Sequence, residues 1–431
     1  MLLAILIGVI TCLCMILAVL FYPKIKLGRF SVSSYWVITL IGALALLLTS
    51  TVRPVAVGSA LIADTAINPL KILTLFISMT LLSIYLDELG FFRFLANCAL
   101  RHAGNSQLKL FVLLYATVSV LTVFTSNDII ILSFTPFVCY FAKNAKINPL
   151  PYLAAEFVAA NTWSMALIIG NPTNIYLVTA TGGDFLSYLK IMLPVTLASG
   201  IVACAFLFLL FRKKLSAPIC ATPQEVMIED KFSLWVGIVH LAVCTAVLAF
   251  GCYFGIEMWL ASLFCALSLF LWSIGISVAK KRGPRILAAC LRRAPWELIP
   301  FVLSMFVIVE AFHVTGVTGK LFLLLGDALP VWTYGISSFL MSNLINNIPM
   351  SVFYSAILSN APANPAAVFA TVVGSNLGAC LTPIGALAGI MWSSILKEHG
   401  LKFGYADFLK IGVTVAVPAL LAALGVLQIW L

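Results

Sequence analysis

The chain has 431 residues, 62% of them hydrophobic and 9% charged, with a formal net charge of +10 at pH 7. A soluble domain carries roughly 25% charged residues, so the composition excludes an ordinary soluble enzyme or binding module. The basic residues fall in short segments between long apolar runs, which makes anionic lipid headgroups, not nucleic acid, their partner.

Apolar runs of about 20 residues, the length that crosses a bilayer, recur from end to end. The run 2–22 has no basic leader and no small-residue cleavage site, and reads as a first span. Further crossings are expected at 35–52, 69–87, 149–180, 188–211, 232–251, 256–279, 295–315, 362–396 and 406–430. Two of these, 149–180 and 362–396, are interrupted by small and amide residues. Two shorter stretches, 107–142 and 330–360, read as re-entrant hairpins whose apolar arms meet at a Ser-Asn cluster. With the N-terminus outside, every Lys and Arg except Arg53, Lys71, Lys190 and Lys320 falls inside. The inside clusters include Lys24, Lys26 and Arg29; Arg212, Lys213 and Lys214; and Lys280, Lys281, Arg282, Arg285, Arg292 and Arg293. That bias supports the arrangement.

The expected fold is an all-α polytopic membrane protein with about ten full spans. The order span, amphipathic stretch (89–103, then 313–325), hairpin, broken span, final span occurs twice, in opposite orientations. This gives an inverted repeat, 69–211 against 295–431. The spans in 1–68 and 212–294 are peripheral, with 212–232 a linker. Those peripheral spans are the expected place for a homodimer contact.

The interruptions carry the chemistry. The first half reads Thr125-Ser126-Asn127-Asp128, then Asn161-Thr162, then Gly170-Asn171-Pro172-Thr173-Asn174. The second reads Ser342-Asn343, Asn346-Asn347-Ile348-Pro349, then Gly374-Ser375-Asn376 and Thr382-Pro383. Unsatisfied backbone is so costly in hydrocarbon that broken helices persist there only around a cavity. Paired interruptions in two halves point to a transporter's binding site. Amides and hydroxyls offer donors and acceptors without the cost of a charge, so Ser126, Asn127, Asn161, Thr162, Asn171, Thr173, Asn174, Ser342, Asn343, Asn346, Asn347, Ser375, Asn376 and Thr382 are expected to hold a small solute.

Asp128 is the acid at a hairpin tip. It either couples transport to protons or sodium, or caps the returning helix through the N–H of Ile130 or Ile131. Glu156 reads as a relay or as one side of a salt bridge. Pro136, Pro172, Pro349 and Pro383 are expected to break helices near the clusters. The eleven cysteines show no metal spacing and read as small buried hydrophobes, with Cys380 set apart by its place in the second interruption. No Walker loop, metal-ligand set or nucleophile–base pair is visible, so no cofactor and no enzymatic activity are expected.

Several of these residues also form an ordered set. Leu86-Asp87-Glu88-Leu89-Gly90-Phe91-Phe92, Ser126-Asn127-Asp128 with Thr135-Pro136, Arg293-Ala294-Pro295-Trp296, Asn346-Asn347-Ile348-Pro349 and Leu381-Thr382-Pro383-Ile384-Gly385 resemble the pattern of arsenite/antimonite permeases of the ion transporter superfamily. The resemblance covers most of the chain. It implies an inverted-repeat fold, a place in the cell membrane, elevator-like movement and proton-driven extrusion of As(III) or Sb(III) hydroxide. In some relatives it also implies an ATPase subunit as partner. Sodium-coupled small-anion carriers and sodium/proton antiporters of the same superfamily are the alternative. The chain departs from the permease pattern at Asn161 and Asn376, where Asp is usual, and at Ala379-Cys380, where Pro-Lys is usual. Asp128 is then the main candidate for coupling.

Overall fold

The computed structural model describes residues 1–27, 30–63, 68–179, 184–216, 218–219, 228–281, 283–326, 328–360, 362 and 364–431. Arg29, Arg282 and part of the expected linker, 217 and 220–227 with Cys220 and Pro223, lie outside them.

The N-terminal part holds α1 (Leu2–Phe21), a two-stranded antiparallel hairpin of β1 (Lys24–Leu27) and β2 (Phe30–Ser33), α2 (Ser34–Leu48) and α3 (Pro54–Ile62). A first set of helices follows: α4 (Pro69–Glu88), α5 (Phe91–Ala103), α6 (Gln107–Phe124), α7 (Asn127–Asn144), α8 (Leu150–Trp163), α9 (Pro172–Thr179) and α10 (Phe185–Phe211). Then come α11 (Lys231–Phe250), α12 (Met258–Ala279) and the short basic α13 (Arg285–Arg293). The second set is α14 (Leu298–Val314), α15 (Val317–Leu325), α16 (Pro330–Ile345), α17 (Asn347–Leu358), α18 (Pro365–Gly378), α19 (Leu387–Glu398) and α20 (Tyr405–Ile411), which a π-turn joins to α21 (Val417–Trp430).

Local chemistry starts these helices. Asn68 accepts the N–H of Leu70 and Lys71 before Pro69, and Asn364 accepts those of Ala366 and Ala367 before Pro365. Asp184 caps α10 in the same way. The turns α4–α5 and α14–α15 are made alike, by Gly90 at φ +81° and Gly316 at φ +76°, a region glycine enters without strain.

Eight helical stretches among the described residues are long and apolar enough to cross a membrane. Where broken spans were expected, the chain forms pairs of short helices, α8 and α9, then α18 and α19. The run expected at 35–52 is shorter than a span, because α2 stops after 15 residues. The arm α6, at 18 residues and about 27 Å, is itself long enough to cross. Pro136 lies inside α7 without ending it, and Pro349 sits in the first turn of α17.

The two sets share packing partners. α7 lies on α8 as α17 lies on α18; α10 lies on α8 as α21 lies on α18. Across the sets, α9 packs on α17 and α19 packs on α7. The outer pairs are exchanged: α1 and α2 join the second set through α14, and α11 and α12 join the first through α4. At the basic ends, Arg293 Nη2 reaches Asp87 Oδ2 at 2.6 Å and Arg293 also pairs with Glu88. The α13–α14 turn is thereby fastened to the end of α4.

The tightest helix pair is α16 on α18. A Cβ at Gly374 would meet Ser338 Oγ at 2.0 Å and the Gly335 carbonyl at 2.4 Å, and one at Gly378 would meet Ser342 Oγ at 2.0 Å. Gly374 and Gly378 are one turn apart, the small-xxx-small spacing that lets membrane helices approach closely. Gly378→Leu is expected to destabilise the protein by about 3 kcal/mol, at the upper end of overpacking costs. Loss of the monodisperse species in detergent at lower temperature would show it; an unchanged melting profile would refute the close-contact argument.

Candidate functional site

The helix breaks converge on a buried network of amides and hydroxyls. In the first set, α8 ends at Trp163 and the chain runs irregularly to Pro172, where α9 begins. Asn161, in the last turn of α8, accepts from Asn127 Nδ2 at 3.1 Å and donates to the Phe157 carbonyl at 2.8 Å. Asn127 also accepts the N–H of Asp128 at 3.0 Å. Inside the break, Asn174 Nδ2 donates to the carbonyls of Ser164 and Leu167, at 2.8 and 3.0 Å. These bonds replace the partners that the interrupted helix leaves open.

Asn376, in the last turn of α18, joins the two sets. Its Oδ1 accepts from Ser164 Oγ and from Asn171 Nδ2, both at 2.9 Å. Its Nδ2 donates to Asn174 Oδ1 at 2.7 Å and to the Val372 carbonyl at 2.9 Å. Beside it, Ser375 Oγ donates to Thr173 Oγ1 at 3.2 Å. Asn161, Ser164, Thr173, Asn174, Ser375 and Asn376 are wholly buried.

The second break is held separately. Asn343 Nδ2 donates to the carbonyls of Phe339 and Gly378, and its Oδ1 accepts from Thr382 Oγ1 at 2.6 Å. Asn346 Nδ2 donates to the Ile384 carbonyl at 3.0 Å, and the Asn347 N–H to the Gly385 carbonyl at 2.9 Å. Ser342 Oγ donates within α16, to Phe339. Ser342 and Asn343 therefore lie in the last turn of α16, and the chain reverses at Asn346, whose φ is +72°. By position at a helix start, Asn346-Asn347 corresponds to Ser126-Asn127. Two expected site hydroxyls, Ser126 Oγ and Thr162 Oγ1, are buried with no hydrogen-bond partner.

Asp128 stands apart from this network. The N–H of Ile130 goes to the Ser126 carbonyl, not to the Asp128 carboxylate. Asp128 instead lines a cavity of about 780 Å³, with Tyr35, Glu297, Lys24, Arg292 and Trp296 among its other walls. Glu297 is held there by the Ser33 N–H at 3.1 Å and the Tyr35 hydroxyl at 3.5 Å. Neither Tyr35 nor Glu297 stood out in the sequence. Glu297 directly follows Pro295-Trp296 at a span boundary, where an acid reads as ordinary interfacial charge.

Glu156 forms no salt bridge among the described residues. Its Oε1 accepts from Thr135 Oγ1 at 2.7 Å, and its Oε2 is buried without a partner. Cys380 is buried within the second break. No group of His, Cys, Asp and Glu among the described residues is arranged to hold a metal ion. The network offers donors and acceptors without charge, and two carboxylates, Asp128 and Glu297, line the neighbouring cavity's wall.

The citrate transporter family model matches residues 15–371. The arsenical pump membrane protein of Escherichia coli strain K12 is 30% identical over 379 residues, covering 82% of this chain and 85% of that protein. The putative arsenical pump membrane protein of Bacillus subtilis strain 168 is 25% identical, covering 81% of this chain and 85% of that one. The crystal structure of the Alcanivorax borkumensis YdaH transporter is similar in fold, with a TM-score of 0.56 at 14% identity, over 99% of this chain and 98% of that one. The resemblance carried by the motifs is borne out by these relatives.

Proposed function

The chain belongs to the citrate transporter family and is a multi-pass membrane transporter; from that premise we propose that it extrudes arsenite or antimonite hydroxide in exchange for protons. The observation that carries this reading is the uncharged network centred on Asn376, which ties the first helix break to the end of the helix that leads into the second. A neutral trihydroxide presents donors and acceptors in alternation, and such a lining matches it without the cost of burying a charge. Asn127, Asn161, Asn171, Asn174 and Asn376, with the hydroxyls around them, are the proposed solute contacts on one side. Asn343, Asn346, Asn347 and Thr382 are the proposed contacts on the other. Asp128, open to the cavity, is the proposed proton carrier.

The proposed frame is an inverted repeat of 69–211 and 295–431, with 1–68 and 212–294 outside it. Its support is the recurring order of elements and the reciprocal seating of α9 on α17 and α19 on α7. One observation favours a sodium-coupled small-anion carrier instead. Lys24 and Arg292 line the same cavity as Asp128 and would attract an anion.

The test is transport in liposomes containing the purified protein, with As(III) measured by elemental mass spectrometry. The expected result is As(III) movement driven by an imposed pH gradient and indifferent to sodium. No As(III) movement by folded protein, with citrate uptake under a sodium gradient, would replace this reading with the second.

A further inference from the structure

The cavity beside Asp128 is far larger than a trihydroxide needs. Its volume of about 780 Å³ falls in the range of about 300–1,000 Å³ that holds drug-sized molecules. Its walls are mostly apolar. Phe21, Tyr22, Tyr35, Phe76 and Trp296 supply aromatic rings, and Leu132, Ile390 and Met391 add aliphatic surface. Two of the rings are fixed in place. The Tyr35 ring meets Phe301 edge-on, with centroids 5.0 Å apart, and the Trp296 indole N–H donates to the Leu291 carbonyl at 2.6 Å. Glu297 uses both carboxylate oxygens on Ser33 and Tyr35. The Asp128 carboxylate, by contrast, makes no hydrogen bond or ion pair among the described residues. The basic groups are placed differently. Lys24 and Arg292 line the cavity but are exposed, so water screens them. Arg293 is paired with Asp87 and Glu88. The charge left open to an occupant against the apolar walls is therefore that of Asp128.

We propose that this cavity binds an amphipathic organic cation, with its charge against Asp128 and its apolar groups against the aromatic walls. Aromatic faces attract cations that carry no hydrogen-bond donor. A carboxylate beside low-dielectric walls attracts a cation more strongly than it would in water. An anion of the same size would be repelled by Asp128 and Glu297. A small hydrophilic cation would gain nothing from the walls, so apolar bulk and positive charge together define the ligand class. The route of entry fits that class. Trp296 also lines an apolar groove of about 330 Å³ between α4 and α12, so one ring borders both spaces and a lipid-soluble cation has an apolar approach. The occupant would stand beside the proposed proton carrier, yet the site does not depend on arsenite being carried. Binding is therefore measured apart from transport.

Equilibrium dialysis of tetraphenylphosphonium against the purified full-length protein, with protein-free micelles subtracted, provides the test. Tetraphenylborate, matched in shape and opposite in charge, is the control. The expected result is one saturable phosphonium site per chain, with borate bound at least about 10-fold more weakly. Asp128→Asn should weaken phosphonium binding by about 10-fold or more and bring the two ions closer together. Ile390→Trp, which narrows the cavity, should weaken phosphonium binding while leaving Asp128 in place. Borate binding equal to or tighter than phosphonium, or wild-type phosphonium binding by either variant, would overturn the proposal. Should the variants fail to fold, labelling of wild-type Asp128 by dicyclohexylcarbodiimide, mapped by peptide mass, decides. Protection by phosphonium and not by borate supports the site, and labelling indifferent to phosphonium overturns it.

Discussion

In liposomes carrying the Asp128→Asn protein, pH-driven As(III) movement is expected to fall by about 100-fold or more, the scale of a side chain that itself transfers the proton. Asn keeps the shape of Asp, and the N–H of residue 128 keeps its bond to Asn127 Oδ1. The carboxylate faces the cavity and takes no part in the Asn376 network. Stability should therefore stay within about 0.5 kcal/mol of wild type, so a loss of transport would be a loss of coupling. As(III) exchange without a pH gradient separates the two roles further. If the variant retains exchange and loses only the response to pH, Asp128 carries the proton and does not hold the solute. Wild-type rates in the variant would end the coupling assignment and move attention to Glu156, whose Oε2 is buried and unpartnered.

Asn376→Ala is expected to cost about 1–3 kcal/mol, the cost of one stranded buried group, because it strands Asn171 Nδ2 and leaves Asn174 Oδ1 only the 3.4 Å bond from Thr173 Oγ1. Ser164 Oγ is spared, since it also donates to the Asn161 carbonyl at 2.9 Å. The loss should appear as a lower unfolding temperature in detergent, with the first break loosened from α18, since Asn376 bonds residues 164, 171 and 174 from more than 200 positions away. Asn343→Ala is the comparison. It releases Thr382 and the Gly378 carbonyl, leaves the Asn376 cluster whole, and should disturb the second break alone. Equal damage at the first break from both variants would show that the network is not divided as described.

Much of this arrangement was legible because hydrocarbon punishes irregular backbone. Gly170-Asn171-Pro172 and Thr382-Pro383 fall inside apolar runs, and each lies in a true interruption between helices. The second reversal was harder to place. Ser342-Asn343 looks like Ser126-Asn127, yet the backbone turns at Asn346. Pro349, whose missing N–H suits a first helical turn, was the available signal. The joining of Asn376 to Ser164 and Asn171 could not be read at all, since no local pattern links residues so distant. The β1–β2 hairpin escaped because four-residue strands give too short an alternation. Tyr35 and Glu297 escaped for a related reason: their meeting depends on how that hairpin docks against the α13–α14 turn.

The exchanged outer pairs also set an order of assembly during synthesis. α1 and α2 emerge first, yet the helix they lie against, α14, begins only at Leu298. Until then they have each other but not α14. α4 meets its own outer pair, α11 and α12, much sooner. The first set can therefore acquire its outer helices while the ribosome is still working, whereas the N-terminal pair must wait for the second set. Contacts of such sequence separation form slowly. A nascent chain halted before Leu298 should leave α1 and α2 without α14 while α4 can already hold α11 and α12, a difference that cysteine cross-linking between these helices would read.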